Sequence, residues 1–258
     1  MSTTPMNNGL GKKLGELAGK DLSEARDGGV PPAAVWALIR GEPTTGVAIV
    51  HRDGTVLWVN QKAASIFRGS GAKPAELVGS SWQDSNDPRW IKEREDILRY
   101  VQQTGKALML RTIWGGRQQI SWVQPIQAEP DAEGDDSEPS DGLPDRFLII
   151  TRRVPGDWEA EMDPKDSVEV MESELVELGQ LDVLTARELE VLALIGQGMS
   201  LKEIASTLHR SYKTIENHRG SIGRKLNLDD RVKLAEIAQR AGLTLADAER
   251  TRVDPPPK

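Results

Sequence analysis

Between residues 181 and 243 the chain writes its helix starts in side chains, and no other stretch restricts the fold so tightly. Thr185 stands three residues ahead of Glu188, and Ser200 three ahead of Glu203. In such a pair the hydroxyl accepts the backbone N–H of the glutamate, while the carboxylate accepts the N–H of the capping residue. Two of the donors that every helix start leaves open are thereby satisfied. Ser211 offers a third cap. Behind these caps Leu189, Leu192 and Ile195 recur at helical spacing, followed by Ile204, Ala205 and Leu208, and then by Ile215, Ile222 and Leu226. Gly198 closes the first helix, and His209-Arg210 forms the turn between the second and third. If His209 takes a positive φ, histidine is among the residues that tolerate it. A fourth helix, from about Asp229 to Ala241, carries Val232, Leu234, Ile237 and Ala238 before Gly242. Helix, tight turn and capped helix at this spacing predict a helix-turn-helix, and hence DNA binding.

The formal charge of −7 argues against this until it is located. Residues 128–145 hold eight acids and no base, and residues 156–177 hold nine acids and one lysine. From His209 to Lys225 the balance reverses, with Arg210, Lys213, Arg219, Arg224 and Lys225 against Glu216 alone. Affinity for nucleic acid follows the local basic face and not the chain total. On a helical wheel Lys213, Asn217, Gly220 and Arg224 lie opposite Ile215 and Ile222, with Glu216 at the edge. Asparagine can bind adenine through two hydrogen bonds, and glutamate can accept from cytosine N4. Glu216 could equally pair with Lys213 or Arg219 within the helix. Gly220 and Gly223 weaken a helix interior, which close approach to DNA or to a neighbouring helix would rationalise. Arg219 falls near the apolar side.

The runs LT-x-RE-x-EVL, G-x-S-x-KEIA, S-x-KTI-x-x-H and the later KL together resemble the LuxR-type domain, nearest the FixJ/NarL branch. The turn departs from the family pattern, which usually has a small residue where His209 stands and an apolar one where Arg210 stands. The resemblance implies a transcriptional regulator acting on double-stranded DNA as a homodimer, with phosphate contacts from Thr214, His218 and Lys225. It also implies that the fourth helix contributes to dimerisation. The expected DNA-binding set is thus Lys213, Thr214, Glu216, Asn217, His218, Gly220, Arg224 and Lys225. A promoter factor of the sigma type shares part of this framework and would contact RNA polymerase. A protein-interaction adaptor that no longer binds DNA is a further alternative.

Residues 34–154 alternate strand and helix patterns: TGVAIV and TVLWV around Asp53-Gly54, a polar helix near Gln61–Phe67, and a longer helix from Pro88 to Thr104. ALMLRTIW and QISWVQPIQ follow, joined through Gly115-Gly116, and then RFLIITRRV. The expected fold class is α+β: a five-stranded antiparallel sheet with helices on one side, followed by an all-α four-helix domain. The front half resembles a PAS domain in this layout, including Asn60 after the second strand, which implies sensing of a small molecule or protein signal. No residue pattern identifies a cofactor. The chain has no cysteine for disulfides, thiolate metal sites or flavin adducts. His51 reads as a solvated loop histidine and not a haem ligand, and the tryptophans at 58, 82, 90, 114 and 122 read as core.

Residues 1–33 read as a disordered tail, 128–145 as an acidic loop insert, and 155–180 as an acidic helical linker. In the linker Val168, Met171, Leu175 and Leu178 are spaced as a two-heptad seam, either a dimerising helix or a solvated one with a greasy side. The helical domain is expected over 181–246 and a C-terminal tail over 247–258, of which residues 251–258 read as frayed. Neither a signal peptide nor a membrane-length apolar run is present, so the expectation is a soluble cytoplasmic protein. No nucleophile–base pair, phosphate loop, receiver-domain pattern or metal cluster points to an enzyme or to a phosphorylated receiver.

Overall fold

The computed structural model describes residues 32–126, 144–154, 168–228 and 230–255. The expected N-terminal tail up to residue 31, most of the acidic insert, and residues 155–167 lie outside the described residues. The chain divides into two units, Met1–Arg40 and Gly41–Lys258. Of the first, only residues 32–40 are described, within the helix α1 (Pro32–Gly41).

The second unit begins with a hairpin. β1 (Thr45–His51) and β2 (Val56–Val59) pair antiparallel around Gly54, whose φ of 84° is one that glycine adopts without strain. The buried side chain of Asn60 then ties hairpin to helix. Its Oδ1 accepts the N–H groups of Val47 (3.0 Å) and Ala63 (2.8 Å), and its Nδ2 donates to the Thr45 carbonyl (2.9 Å). One side chain therefore caps α2 (Gln61–Arg68) and fixes it against β1. The short α3 (Pro74–Leu77) and a 3₁₀ turn at Trp82–Asp84 lead to α4 (Pro88–Thr104), which has proline in its first turn and Gly105 at its end. β3 (Leu108–Trp114), β4 (Arg117–Ile126) and β5 (Arg146–Arg153) complete an antiparallel sheet in the order β2-β1-β5-β4-β3. This is the expected PAS-like sheet.

The pleat of the sheet directs alternate residues to opposite faces. On β3, Leu108 and Leu110 join Val50, Ile97, Leu98, Val101, Val123 and Phe147 in the core beneath α4. Arg111 and Ile113 face the other way and meet the C-terminal domain.

Two expectations need correction. Residues 169–176 are not helical: β6 (Glu169–Val176) runs parallel to β3 and extends the sheet. The 3-4-3 spacing of Val168, Met171, Leu175 and Leu178 is a helical period, and pairing with the otherwise open edge of β3 overrides it. Their burial is not a single seam. Met171 packs on the sensor core, Leu175 beside Trp90 and Trp114, and Leu178 in the core of the helical domain. The C-terminal tail, described to residue 255, is not frayed either. β7 (Thr251–Arg252) pairs parallel with β6, and the buried Val253 donates its N–H to the Val176 carbonyl (3.0 Å). Arg252 also donates to the carbonyls of Asp182 and Leu184, both at 2.8 Å.

The helical domain consists of α5 (Ala186–Gly196), α6 (Leu201–Thr207), α7 (Tyr212–Lys225) and α8 (Arg231–Ala241). Its first three helices end alike. At Gly198, His209 and Asn227 the backbone turns left-handed (φ 84°, 50° and 53°). In each case the next N–H returns to the carbonyl five residues back: Met199 to Leu194, Arg210 to Ala205, and Leu228 to Gly223. His209 therefore occupies a position where glycine is cheapest, and its departure from the family pattern leaves the turn geometry intact. At the crossing of α5 and α8, Gly196 lies so close to Ala238 that an added Cβ would come within 2.6 Å of the Ala238 carbonyl oxygen.

The core of this domain is continuous with the sheet. Ile113 and Val176 belong to the same apolar cluster as Leu181, Leu189, Leu192 and Ile222. Beside it lies a buried clamp. The Arg111 guanidinium donates to both Asp247 oxygens (3.0 and 2.7 Å) and to the Gly242 carbonyl (3.1 Å), while its Nε bonds Gln118 (2.6 Å). Asp247, on a 3₁₀ turn after α8, also accepts the Thr244 N–H (2.7 Å) and lies 2.8 Å from Arg250.

Candidate nucleic-acid interface

The helix-turn-helix pair is α6 and α7, and its orientation is set from behind. Ile215 and Ile222 are fully buried, with Leu226 packed partly against the same cluster. This matches the wheel. Ser211 caps α7 by accepting the Thr214 N–H (3.1 Å). Because the inward face is fixed, Lys213, Asn217, Gly220 and Arg224 stand on the exposed side, and Thr214, Glu216 and His218 are half-buried on its flanks. An added Cβ at Gly220 would meet nothing within 4 Å, so this helix offers a gap in its side-chain cover. At Gly223 the same Cβ would fall 2.9 Å from the Leu228 carbonyl. Gly223 thus serves the turn behind α7. Lys213 pairs with Glu216 at 2.7 Å, the intrahelical alternative for that glutamate, and Lys213 stays well exposed.

Lys225 is placed differently from its neighbours. Its Nζ lies 2.7 Å from a buried Glu188 oxygen, and the other oxygen of that carboxylate accepts from Ser221 Oγ (2.6 Å). Glu188 also accepts the Thr185 N–H (2.8 Å), completing the expected capping box. Wheel geometry could not reveal this, because the anchor lies on another helix. One carboxylate caps α5 and pins α7 to it. Burial pushes the Glu188 carboxyl up, but hydrogen bonds from Lys225, Ser221 and Thr185 outweigh that effect and hold its pKa at about 2, below the ordinary 4.5. The stability it contributes is therefore present above pH 4.5 and is lost as pH falls toward its folded value. Urea midpoints measured between about pH 5 and pH 2 should fall more steeply for the wild-type protein than for Glu188→Gln. Parallel slopes would contradict the anchor.

Sequence reasoning also missed Tyr212, an aromatic at the first turn of α7 that is 47% exposed. It stands beside Lys213 at the exposed start of the helix.

A cavity of about 100 Å³ lies between the sheet and its helices, bounded by Val50, Val123 and Ile149 on the sheet and by Phe67, Trp82 and Trp90 opposite. Its aromatic wall is continuous: Trp82 and Trp90 lie 5.3 Å apart between ring centres, Trp90 and Trp114 5.7 Å, and Phe67 and Trp114 6.2 Å. Three of the five tryptophans read as core thus also line a cavity, while Trp58 and Trp122 are not among its lining residues. His51 lies at the end of β1, with Nδ1 2.9 Å from Asp53, and does not line it. Among the described residues no group of three or more His, Cys, Asp or Glu could hold a metal ion. No helix among them is long and apolar enough to cross a membrane.

Residues 182–238 match the family model of the bacterial regulatory proteins of the luxR family. The C-terminal domain is a LuxR-family helix-turn-helix domain, attached to a PAS-like front domain. The chain is 35% identical over 108 residues to the oxygen regulatory protein NreC of Staphylococcus carnosus, a match covering 39% of this chain and 50% of that protein. It is 41% identical over 63 residues to the virulence factors putative positive transcription regulator BvgA of Bordetella pertussis, covering 24% and 30%. The chain thus spans half or less of the length of these relatives. A solved VqmA–ligand–DNA complex from Vibrio cholera aligns over 84% of this chain and 92% of that one, with 16% identity and a TM-score of 0.43.

Proposed function

We propose that this protein is a sequence-specific, DNA-binding transcriptional regulator controlled by a small-molecule signal in its PAS-like domain. The observation that carries this reading is α7: a helix anchored from behind by Ile215, Ile222 and the Glu188–Lys225 pair, with an exposed face of Lys213, Asn217, Gly220 and Arg224. In the major groove Asn217 and Arg224 would read base edges, with Lys213 and Glu216 beside them and the backbone at Gly220 approaching closely. Thr214 and His218 would hold phosphates and set the register. Lys225, its charge already matched by Glu188, would contribute through the third of its side chain that remains exposed.

Two copies of the chain would bind a two-fold site in the cytoplasm, where the regulator could meet RNA polymerase. The inner face of α8 packs on α5, whereas Val232 on the same helix is 63% exposed, which supports the outer face of α8 as the dimer contact. The reading assigns the chain no catalysis.

A gel shift against its own promoter region over a salt series tests the proposal. The specific complex should weaken as salt rises, because each phosphate contact releases counterions. Lys213→Ala combined with Asn217→Ala should weaken it by roughly 10- to 100-fold, since a lost bidentate base contact costs about 1–3 kcal/mol. No specific band, or a complex indifferent to both salt and this variant, would sink the reading.

A further inference from the structure

The cavity of the front domain has a charge pattern that narrows what can occupy it. Its lining includes Arg68 and Arg94, together with Ser80, Ser81 and Asn86, but no aspartate or glutamate. Arg94 is 12% exposed and stacks 5.0 Å from the centre of the Trp90 ring. Burial pushes its pKa down, opposed by the charge of Glu93, its ion-pair partner. Arg68 is likewise lowered by burial, opposed by Asp84 from outside the lining, and it donates to Ser85. Trp90 is 6% exposed, and its Nε1–H is buried without a hydrogen-bond partner. An unpaired buried donor costs the protein free energy unless something accepts from it. The lining therefore combines two arginines, a tryptophan whose N–H is unpartnered and several neutral polar side chains with an aromatic and aliphatic majority, and carries no acid.

We infer that the cavity binds a small carboxylate with a compact apolar body, its carboxylate accepting from Trp90 and Arg94 and its body against the aromatic wall. This rests on the reading of the front domain as a small-molecule sensor, and specifies the ligand. The volume of about 100 Å³ accommodates on the order of seven to ten heavy atoms, at about 10–15 Å³ for each water-sized position. A benzoate or a short branched fatty acid has this size.

The same arginine connects the ligand to the DNA-binding half. Its partner Glu93 accepts from Ser173 Oγ (2.8 Å) and from the Glu174 N–H (2.8 Å) on β6, the strand that runs directly into the helical domain. A carboxylate drawing on Arg94 competes with Glu93, and so loosens or reorients the hold of α4 on β6.

The test uses the full chain with benzoate, its neutral isostere benzamide, and toluene, followed by thermal unfolding and tryptophan fluorescence. Benzoate should raise the melting temperature and perturb the fluorescence, with benzamide and toluene weaker. Trp90→Phe keeps an aromatic ring on the wall and removes the donor, and should weaken benzoate about tenfold or more, as expected for a hydrogen bond to a charged group. Arg94→Met should abolish the preference for benzoate over benzamide. If that variant does not fold, the Trp90→Phe comparison decides alone. Equal or tighter binding of benzamide or toluene would overturn the carboxylate assignment while leaving a small-molecule site in place. No stabilisation by any of the three at millimolar concentration would overturn both.

Discussion

Replacing Arg111 with methionine is expected to lower the free energy of unfolding by about 3–5 kcal/mol, the range found when one partner of a buried ion pair is removed. The reason lies in what remains. Asp247 is fully buried and would keep Arg250 and Thr244 but lose both guanidinium bonds from the sheet, and the Gly242 carbonyl would lose its donor. Because Arg111 stands on β3 and Asp247 beyond α8, the damage falls on the union of the two halves. Urea unfolding should therefore change from one transition to two, with the helical domain and the sheet melting separately. The double variant Arg111→Met, Asp247→Leu removes both charges and should recover part of the loss. A single variant with an unchanged urea midpoint would show that the apolar cluster around Ile113 and Leu181 holds the halves together unaided.

Gly196→Val is the second large effect. The helix crossing places the Ala238 carbonyl oxygen 2.6 Å, and its carbon 2.8 Å, from where a Cβ would stand. These are backbone atoms in the middle of α8, and they cannot swing aside as the end of a side chain could. Separating the helices strips contact from Leu192 and Leu234 in the shared core, so a cost of roughly 3 kcal/mol is expected from overpacking. Thermal unfolding measures it directly. A variant that melts with the wild type would mean that α5 and α8 part freely, contrary to their packing.

What could be read in advance follows how local each determinant is. Thr185, Ser200 and Ser211 declare their helices through contacts three residues away, and Asp53-Gly54 declares a turn within four. These readings held, as did the inward face of α7. Lys225 was read from one helix, yet its partner Glu188 lies on another. The 3-4-3 pattern of Val168–Leu178 points to a helix, and the open edge of β3, brought up by the fold, overrides it. Asp247 looks like an ordinary surface acid until Arg111 arrives from the sheet. The cavity depends on Phe67, Trp82, Trp90 and Trp114 converging from separate elements, and no periodicity announces it.

The C-terminal strand carries a consequence for how the molecule is made. β6 cannot acquire its outer neighbour until the ribosome has produced the whole helical domain and the two residues of β7 beyond it. The nascent sensor therefore waits with an unprotected strand edge, the kind of surface on which chains join one another. Covering the Leu175–Val176 end of that edge requires a long-range return of the chain, which places it late in assembly. A completed sensor sheet is then a certificate that the DNA-binding half has already been synthesised and docked.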